Sequence, residues 1–242
     1  MEKPLVSIIT VVYNAQSTLQ ATIESVLNQD RDLVEYWIID GGSTDGSLDI
    51  IRQYSDKLAG WISEPDKGIY DAMNKGIDRA NGRWLYFLGA DDQLRPNIVD
   101  SVTAYMNDMY AIVFGSVVFN TGQRMQSYMG LLTLFQNTLH HQSAFYHHSL
   151  FDEFRYDSNL RTLADYELNL LVYIRKMSVR LVPFEVALCY IGGASSDWNL
   201  TVKETNMVRQ RHLRPTFMQP VLSGLLRLYY AQKMFRQWLC QR

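Results

Sequence analysis

The sequence predicts an α/β fold: a mostly parallel, doubly wound sheet flanked by helices, with a C-terminal helical appendage. Three observations predict it. Residues 5–12 form a nearly continuous, β-branched apolar run, as expected of a parallel strand buried on both faces. Apolar runs of strand length then alternate with helix-spaced ones through residue 92. Two acidic loops, Asp40-Gly41-Gly42-Ser43-Thr44-Asp45-Gly46 and Gly89-Ala90-Asp91-Asp92, stand where apolar strands run out. In an open parallel sheet those carboxyl ends line one crevice.

Each element has its own signal. After the first strand, Tyr13-Asn14 turns the chain, and Leu19, Ile23, Val26 and Leu27 recur at helical spacing with Ser17 or Thr18 as N-cap. A strand at 36–39 precedes the glycine-rich loop, and Leu48, Ile51 and Tyr54 then share a helix face. A short strand around Trp61-Ile62 runs into Glu64-Pro65-Asp66-Lys67-Gly68, where Pro and Gly mark a loop. Tyr70, Met73 and Ile77 mark the next helix, which Asn81-Gly82 ends before a strand at 84–88. The second half is less regular: a strand at 112–119, a mixed stretch to residue 160, and a helix over 163–176. A last strand at 179–190 is interrupted by Pro183, which predicts an edge position or a bulge. Helical signals resume at Val202, so residues 1–200 are expected to form the main domain and 201–242 a basic, amphipathic helical extension.

Composition narrows the function. With 242 residues, 47% of them hydrophobic and 12% aromatic, the chain can bury a substantial core. A net charge of −2 excludes a general nucleic-acid binder. Cys189 and Cys240 belong to no metal pattern and read as reduced thiols. The first residues lead straight into a strand without the basic segment of a signal peptide, and no apolar run approaches the roughly 20 residues that span a bilayer. The expected location is cytoplasmic, with peripheral attachment to the inner face of the membrane open.

Asp91-Asp92 at a strand end offers hard oxygen ligands of the kind that hold Mg²⁺ or Mn²⁺ together with substrate phosphates. Asp40 follows Ile38-Ile39 directly and precedes two glycines, so its carboxylate can accept from a uracil ring NH or a ribose hydroxyl. Asp45 lies just before a helix, where it can cap as well as bind.

Taken in order, Val6 to Asn14, Ser25-Val26-Leu27-Asn28-Gln29, Asp40 to Gly46 and Gly89 to Asp92 resemble the successive signatures of family 2 glycosyltransferases, which have the GT-A fold. The stretch Glu64 to Gly76 resembles a subgroup found among bacterial colanic-acid and exopolysaccharide transferases. The resemblance implies an inverting displacement, in which an acceptor hydroxyl attacks the anomeric carbon of a nucleotide-activated sugar. It places Tyr13, Asn14, Asp40, Asp45, Asp66, Lys67 and Asp91 at the nucleotide, and Asp92 on Mg²⁺ or Mn²⁺. Lys75 reads as a solvated helix residue. The segment Leu163 to Leu171 resembles the family's stretch with a catalytic carboxylate at a helix start, which falls on Asp165, with Ala164 where the family often has Glu. Asp165 and Glu167 stand about 200° apart around a helix, so they cannot both face a cleft. His140-His141-Gln142 resembles a His-Gln element, which makes His141 a donor or acceptor contact. The donor is expected to be a nucleotide sugar, with UDP favoured, and the acceptor a glycan or a polyprenyl-diphosphate-linked glycan.

Two rivals meet sequence objections. A nucleotidyltransferase would show a basic, glycine-rich phosphate loop after the first strand, and a dinucleotide-dependent oxidoreductase would show GxGxxG there; Tyr13-Asn14-Ala15-Gln16-Ser17 has neither. A third alternative is a non-catalytic sugar-nucleotide binder of the same fold, which Ala164 keeps open. Beyond Glu204 the chain has no acidic residue, while Arg209, Arg211, Arg214, Arg227, Lys233, Arg236 and Arg242 alternate with apolar and aromatic residues such as Phe217, Met234, Phe235, Trp238 and Leu239. Such a segment suits an anionic membrane interface, or packs on the domain with a solvated basic face.

Overall fold

The computed structural model describes residues 3–190, 197–213 and 219–240. The chain runs β1 (Val6–Val12), α1 (Leu19–Leu27), β2 (Val34–Asp40), α2 (Ser47–Gln53), β3 (Gly60–Ser63), α3 (Ile69–Ile77), β4 (Trp84–Gly89), β5 (Gln93–Leu94) and α4 (Ile98–Thr103). It continues through β6 (Ile112–Phe119), β7 (Arg124–Gln126), β8 (Ala144–His147), α5 (Ala164–Ile174), β9 (Val179–Cys189), α6 (Trp198–His212) and α7 (Gln219–Cys240).

The strands form one sheet in the order β3-β2-β1-β4-β8-β6-β9-β5, with β7 beside β6. The long pairings, β3 to β4 and β6 with β9, are parallel. The short pairings of β8, β5 and β7 are antiparallel. β1 is apolar at nearly every position because both sheet faces are covered. Ile9, Ile39, Leu85 and Phe87 pack with α3 and α5 residues on one side, and Ile8, Ile38, Trp84, Tyr86 and Leu88 with α1, α2 and α4 residues on the other.

Several expectations shift in detail. Thr18 occupies the N-cap position of α1, yet its hydroxyl does not cap; it and Thr22 both donate to the Ala90 carbonyl at 2.9 Å, which ties α1 to the loop after β4. Pro183 lies in the half of β9 that β5 leaves uncovered, and the β6–β9 register slips there, from Phe114 opposite Leu181 to Ser116 opposite Glu185. Both the edge and the bulge therefore hold, as a residue without an N–H requires. Lys75 is not a solvated residue: its ammonium lies 2.9 Å from the Glu64 carboxylate and 3.0 Å from the Pro65 carbonyl, holding the 64–68 loop against α3.

α6 begins at Trp198, so residue 200 falls within its first turn. It is fastened to the sheet domain by charge. Glu167 of α5 meets His212 at 2.6 Å and Arg211 at 3.4 Å, and Arg211 also pairs with Asp157 at 2.8 Å. Of the residues read as basic or aromatic in the C-terminal segment, Arg214, Phe217 and Arg242 lie outside the described residues. So do the side chains of Lys233, Met234, Phe235, Arg236, Trp238 and Leu239.

Candidate functional site

The parallel strands end together, because Val12 lies opposite Asp40, Asp40 opposite Ser63 and Val11 opposite Gly89. One row thus releases the loops that carry Tyr13, Asp45, Asp66 and Asp91.

Asp40 is fully buried, and its carboxylate organises its own loop. It accepts the Gly42 and Ser43 N–H groups at 3.2 and 3.1 Å, the Ser43 hydroxyl at 2.5 Å and the Ser63 hydroxyl at 2.6 Å. Asn14 adopts a left-handed conformation (φ 49°) that Asn tolerates better than most residues. It knits two loops: its N–H donates to the Ser43 hydroxyl at 2.8 Å, and its side-chain oxygen accepts the Thr44 N–H at 2.9 Å. Asp45 accepts from Gln16 N at 3.0 Å and Ser47 N at 2.9 Å, and the Ser47 hydroxyl leads the causes that hold its carboxyl below the usual range. Tyr13 is 66% exposed beside this knot.

Asp66 reaches the same place from the β3–α3 loop. A Cβ on Gly41 would stand 2.3 Å from Asp66 Oδ2, so the absence of a side chain at 41 is what admits this carboxylate. Asp66 Oδ1 also accepts the Gly68 N–H at 2.8 Å, and Gly68 has φ 119°, a conformation that glycine adopts freely. Lys67 is exposed; its backbone N–H donates to Asp71 at 3.1 Å.

Asp91 and Asp92 diverge. Asp91 is exposed, whereas Asp92 is buried and held from three sides. The Gln142 amide donates to it at 2.6 Å, Tyr190 N–H at 3.0 Å, and the Cys189 thiol also bonds to it. Burial, with the Asp91 charge second, pushes the Asp92 carboxyl up to about 6. Gln142 Oε1 is buried without a hydrogen-bond partner.

Asp165 stands in the first turn of α5 and is 5% exposed. The Tyr70 hydroxyl donates to Oδ1 at 3.1 Å and the Asn137 amide to Oδ2 at 2.9 Å, while His141 Nδ1 lies 3.8 Å away. Burial, only partly offset by these hydrogen bonds, pushes its carboxyl above the usual carboxylate range. His140 and His141 stack with rings 10° apart, and burial pushes both imidazoles down to about 4. They are therefore neutral at neutral pH, and His140 Nδ1 is buried without a partner. Glu167 turns to α6, so only one of the two α5 carboxylates serves this cluster.

The two halves meet through consecutive residues: His141 approaches Asp165, and Gln142 binds Asp92. Tyr70 closes the circle, since it touches Asp165 from the helix that follows Asp66 and Lys67. Tyr70, Asn137 and Gln142 were not singled out from the sequence as site residues. Gln142 sat within the recognised His-Gln element, whereas nothing local marks Asn137. Among the described residues, no group of three or more His, Cys, Asp or Glu is arranged to hold a metal ion. The donor set still fits one: an exposed carboxylate, a second beside it and an unpartnered amide oxygen are hard donors, and Mg²⁺ commonly takes its remaining ligands from phosphates and water.

A parallel sheet with carboxylates at its strand ends is the class of site that glycosyl transfer from nucleotide sugars uses. The pattern described as "Glycosyl transferase family 2" matches residues 7–164, and the chain belongs to that family. It is 35% identical over 179 residues to a PGL/p-HBAD biosynthesis glycosyltransferase of Mycobacterium bovis, covering 70% of each chain. Its fold is the GT-A fold, similar to S. aureus TarS 1-349 in complex with UDP-GlcNAc at a TM-score of 0.69 and 15% identity, covering 84% of this chain and 66% of that one. It is also similar to the mannosyltransferase PcManGT from Pyrobaculum calidifontis in complex with GDP-Man and Mn²⁺, at a TM-score of 0.64 and 16% identity, covering 93% of this chain and 70% of that one. The chain spans 39% of the longer TarS chain.

Proposed function

We propose that this protein is an inverting, cation-dependent glycosyltransferase of bacterial surface-polysaccharide or glycolipid synthesis. It moves a sugar from a nucleotide-sugar donor, UDP-linked by preference, to a hydroxyl of a glycan or polyprenyl-diphosphate-linked acceptor at the inner face of the membrane. The observation that carries this reading is the pair His141 and Gln142, which joins the buried carboxylate of Asp165 to the Asp91–Asp92 end of the sheet. The biosynthetic role of the mycobacterial relative supports it, as do the UDP-GlcNAc and GDP-Man complexes of the structural neighbours.

In this reading Tyr13 offers its exposed ring to the nucleotide base, and Asp66, seated over Gly41, accepts from base or ribose. Lys67 lies near phosphate. Asn14, Asp40 and Asp45 hold the nucleotide-binding loops in register. Mg²⁺ or Mn²⁺ would be held by Asp92, with Asp91 and Gln142 Oε1 as further donors beside it, and when bound it would supply the positive charge that a departing diphosphate needs. Asp165 takes the proton of the acceptor hydroxyl as that oxygen bonds to the anomeric carbon and the bond to the diphosphate breaks. Its raised pKa suits that task, because a stronger base removes a hydroxyl proton more readily. Tyr70 and Asn137 fix its orientation, and the neutral His141 is placed to contact donor or acceptor.

A sugar-nucleotide panel tests the reading, with Mn²⁺ present or chelated, by thermal stabilisation and by release of nucleoside diphosphate on adding acceptor. Stabilisation by one donor and acceptor-dependent release are expected. Stabilisation without release in any acceptor mixture would favour the non-catalytic binder, and no stabilisation by any sugar nucleotide would end both readings.

A further inference from the structure

Among the described residues, one face of α7 is exposed. Val221, Leu225, Leu228 and Tyr229 recur at helical spacing and are 63%, 51%, 69% and 41% exposed, while Leu226 is fully buried on the inner side. A second apolar group lies far away in sequence: the 3₁₀ turn Leu131–Leu134 exposes Leu131 at 73% and Leu132 at 57%. The two groups adjoin. The Phe135 ring meets Tyr229 at 6.4 Å, and Arg209 of α6 donates to the Phe135 carbonyl at 3.2 Å.

Charge says what covers this face. From residue 205 to the end there is no Asp or Glu and there are seven Lys or Arg; Arg209 is buried and Arg211 is paired with Asp157 and Glu167, while Arg227 is exposed beside Leu228. Among the described residues no helix is long and apolar enough to cross a bilayer. We propose that the outer face of α7 and the Leu131–Leu132 turn together form a docking surface for an anionic lipid bilayer, lying in its interface. A second copy fits worse, since pairing this face with itself would bring two segments of the same charge together. The surface also leads to the site: two residues after Phe135, Asn137 holds Asp165, and Thr133 accepts the Tyr166 hydroxyl. Docking would therefore present the catalytic carboxylate to an acceptor carried by the membrane. This last consequence rests on the function proposed above; the docking itself does not.

The test is co-sedimentation of the full chain, without donor, on phosphatidylcholine vesicles and on vesicles mixed with phosphatidylglycerol. Binding only to the anionic vesicles is expected. The double variant Leu131→Ser, Leu132→Ser should weaken it about tenfold although it changes no charge and lies outside α7. Leu228→Ser should do the same, and both variants should keep the transfer rate to a soluble acceptor. A Leu132→Cys variant carrying a polarity-sensitive fluorophore should report an apolar environment when vesicles are added. Absence of vesicle binding, binding unaffected by both sets of changes, or a dimer abolished by the same changes would each overturn the proposal. Docking by wild type with no transfer to any soluble acceptor would instead count against the enzymatic reading.

Discussion

Glu204 of α6 accepts the backbone N–H of Leu163 at 3.1 Å, directly before the helix whose first turn carries Asp165. The same carboxylate takes Arg161 N at 2.7 Å, Thr162 N at 2.9 Å and the Thr162 hydroxyl at 2.9 Å, and Glu204 is 3% exposed. α6 therefore shapes the approach to the catalytic helix. Glu204→Ala orphans three backbone donors and should cost about 3 kcal/mol, seen as a drop in Tm of roughly 6–12 °C. Its kcat should fall while the donor KM stays near wild type, because the donor side is built by other segments. An unchanged Tm and kcat would separate α6 from the site.

Asp165 lends itself to a pH test with the sign worked out. As a base it must be ionised, and its raised pKa places the acid limb of kcat above the ordinary carboxylate range, so activity is lost as pH falls through that value. For stability the sign is opposite. A folded pKa above the unfolded one contributes stability that is full below the unfolded pKa and lost as pH rises through the folded one. Wild type should therefore gain in Tm on Asp165→Asn as pH is lowered through that window. The variant should lose at least about 100-fold in kcat while still binding donor. Retained turnover would remove Asp165 as base.

Gln142 restrains Asp92 and presents an unpartnered oxygen. Gln142→Ala should weaken Mn²⁺-dependent donor binding about tenfold, because it removes both an oxygen donor and the hydrogen bond that positions Asp92. Titration calorimetry at fixed nucleotide and varied Mn²⁺ reads this directly. Equal binding in both proteins would confine Gln142 to packing.

Gly41 admits the Asp66 carboxylate, and a methyl group at 41 would meet it at 2.3 Å. Gly41→Ala should displace Asp66 on its loop and raise the donor Kd about tenfold with little change in Tm, because the displaced group is a side chain on a loop and not core. Asp66→Ala should match it, and the two changes together should not add, since both remove one contact. Additive losses would place the two residues in separate roles.

The first hundred residues were legible because local rules and global fold agree there. β1, β2 and β4 carry largely apolar runs, and acidic loops containing glycine follow β2, β3 and β4 where the sheet needs a crevice. The second half hides its logic in distant partners. β8 is four residues, too short to show a period, and is fixed by pairing with β4 and β6. Asp165 was visible through its resemblance, but its partner Tyr70 lies 95 positions away and Asn137 lies 28 positions away. Thr18 and Lys75 carried local signals for a cap and a solvated face; the Ala90 carbonyl and the Glu64 carboxylate outcompeted them. The resemblance gave Asp91 and Asp92 different roles, but no local signal shows that Gln142, Cys189 and Tyr190 bury and hold Asp92 while Asp91 stays exposed.

The claim on which the account turns is that the Asp91–Asp92 pair binds a donor diphosphate through a divalent cation. Calorimetric titration of UDP into wild type and Asp91→Ala, each with Mn²⁺ and with chelator, measures it most directly. Saturable binding to wild type that needs Mn²⁺ and is lost in Asp91→Ala is predicted. Binding of equal strength in all four mixtures would contradict it.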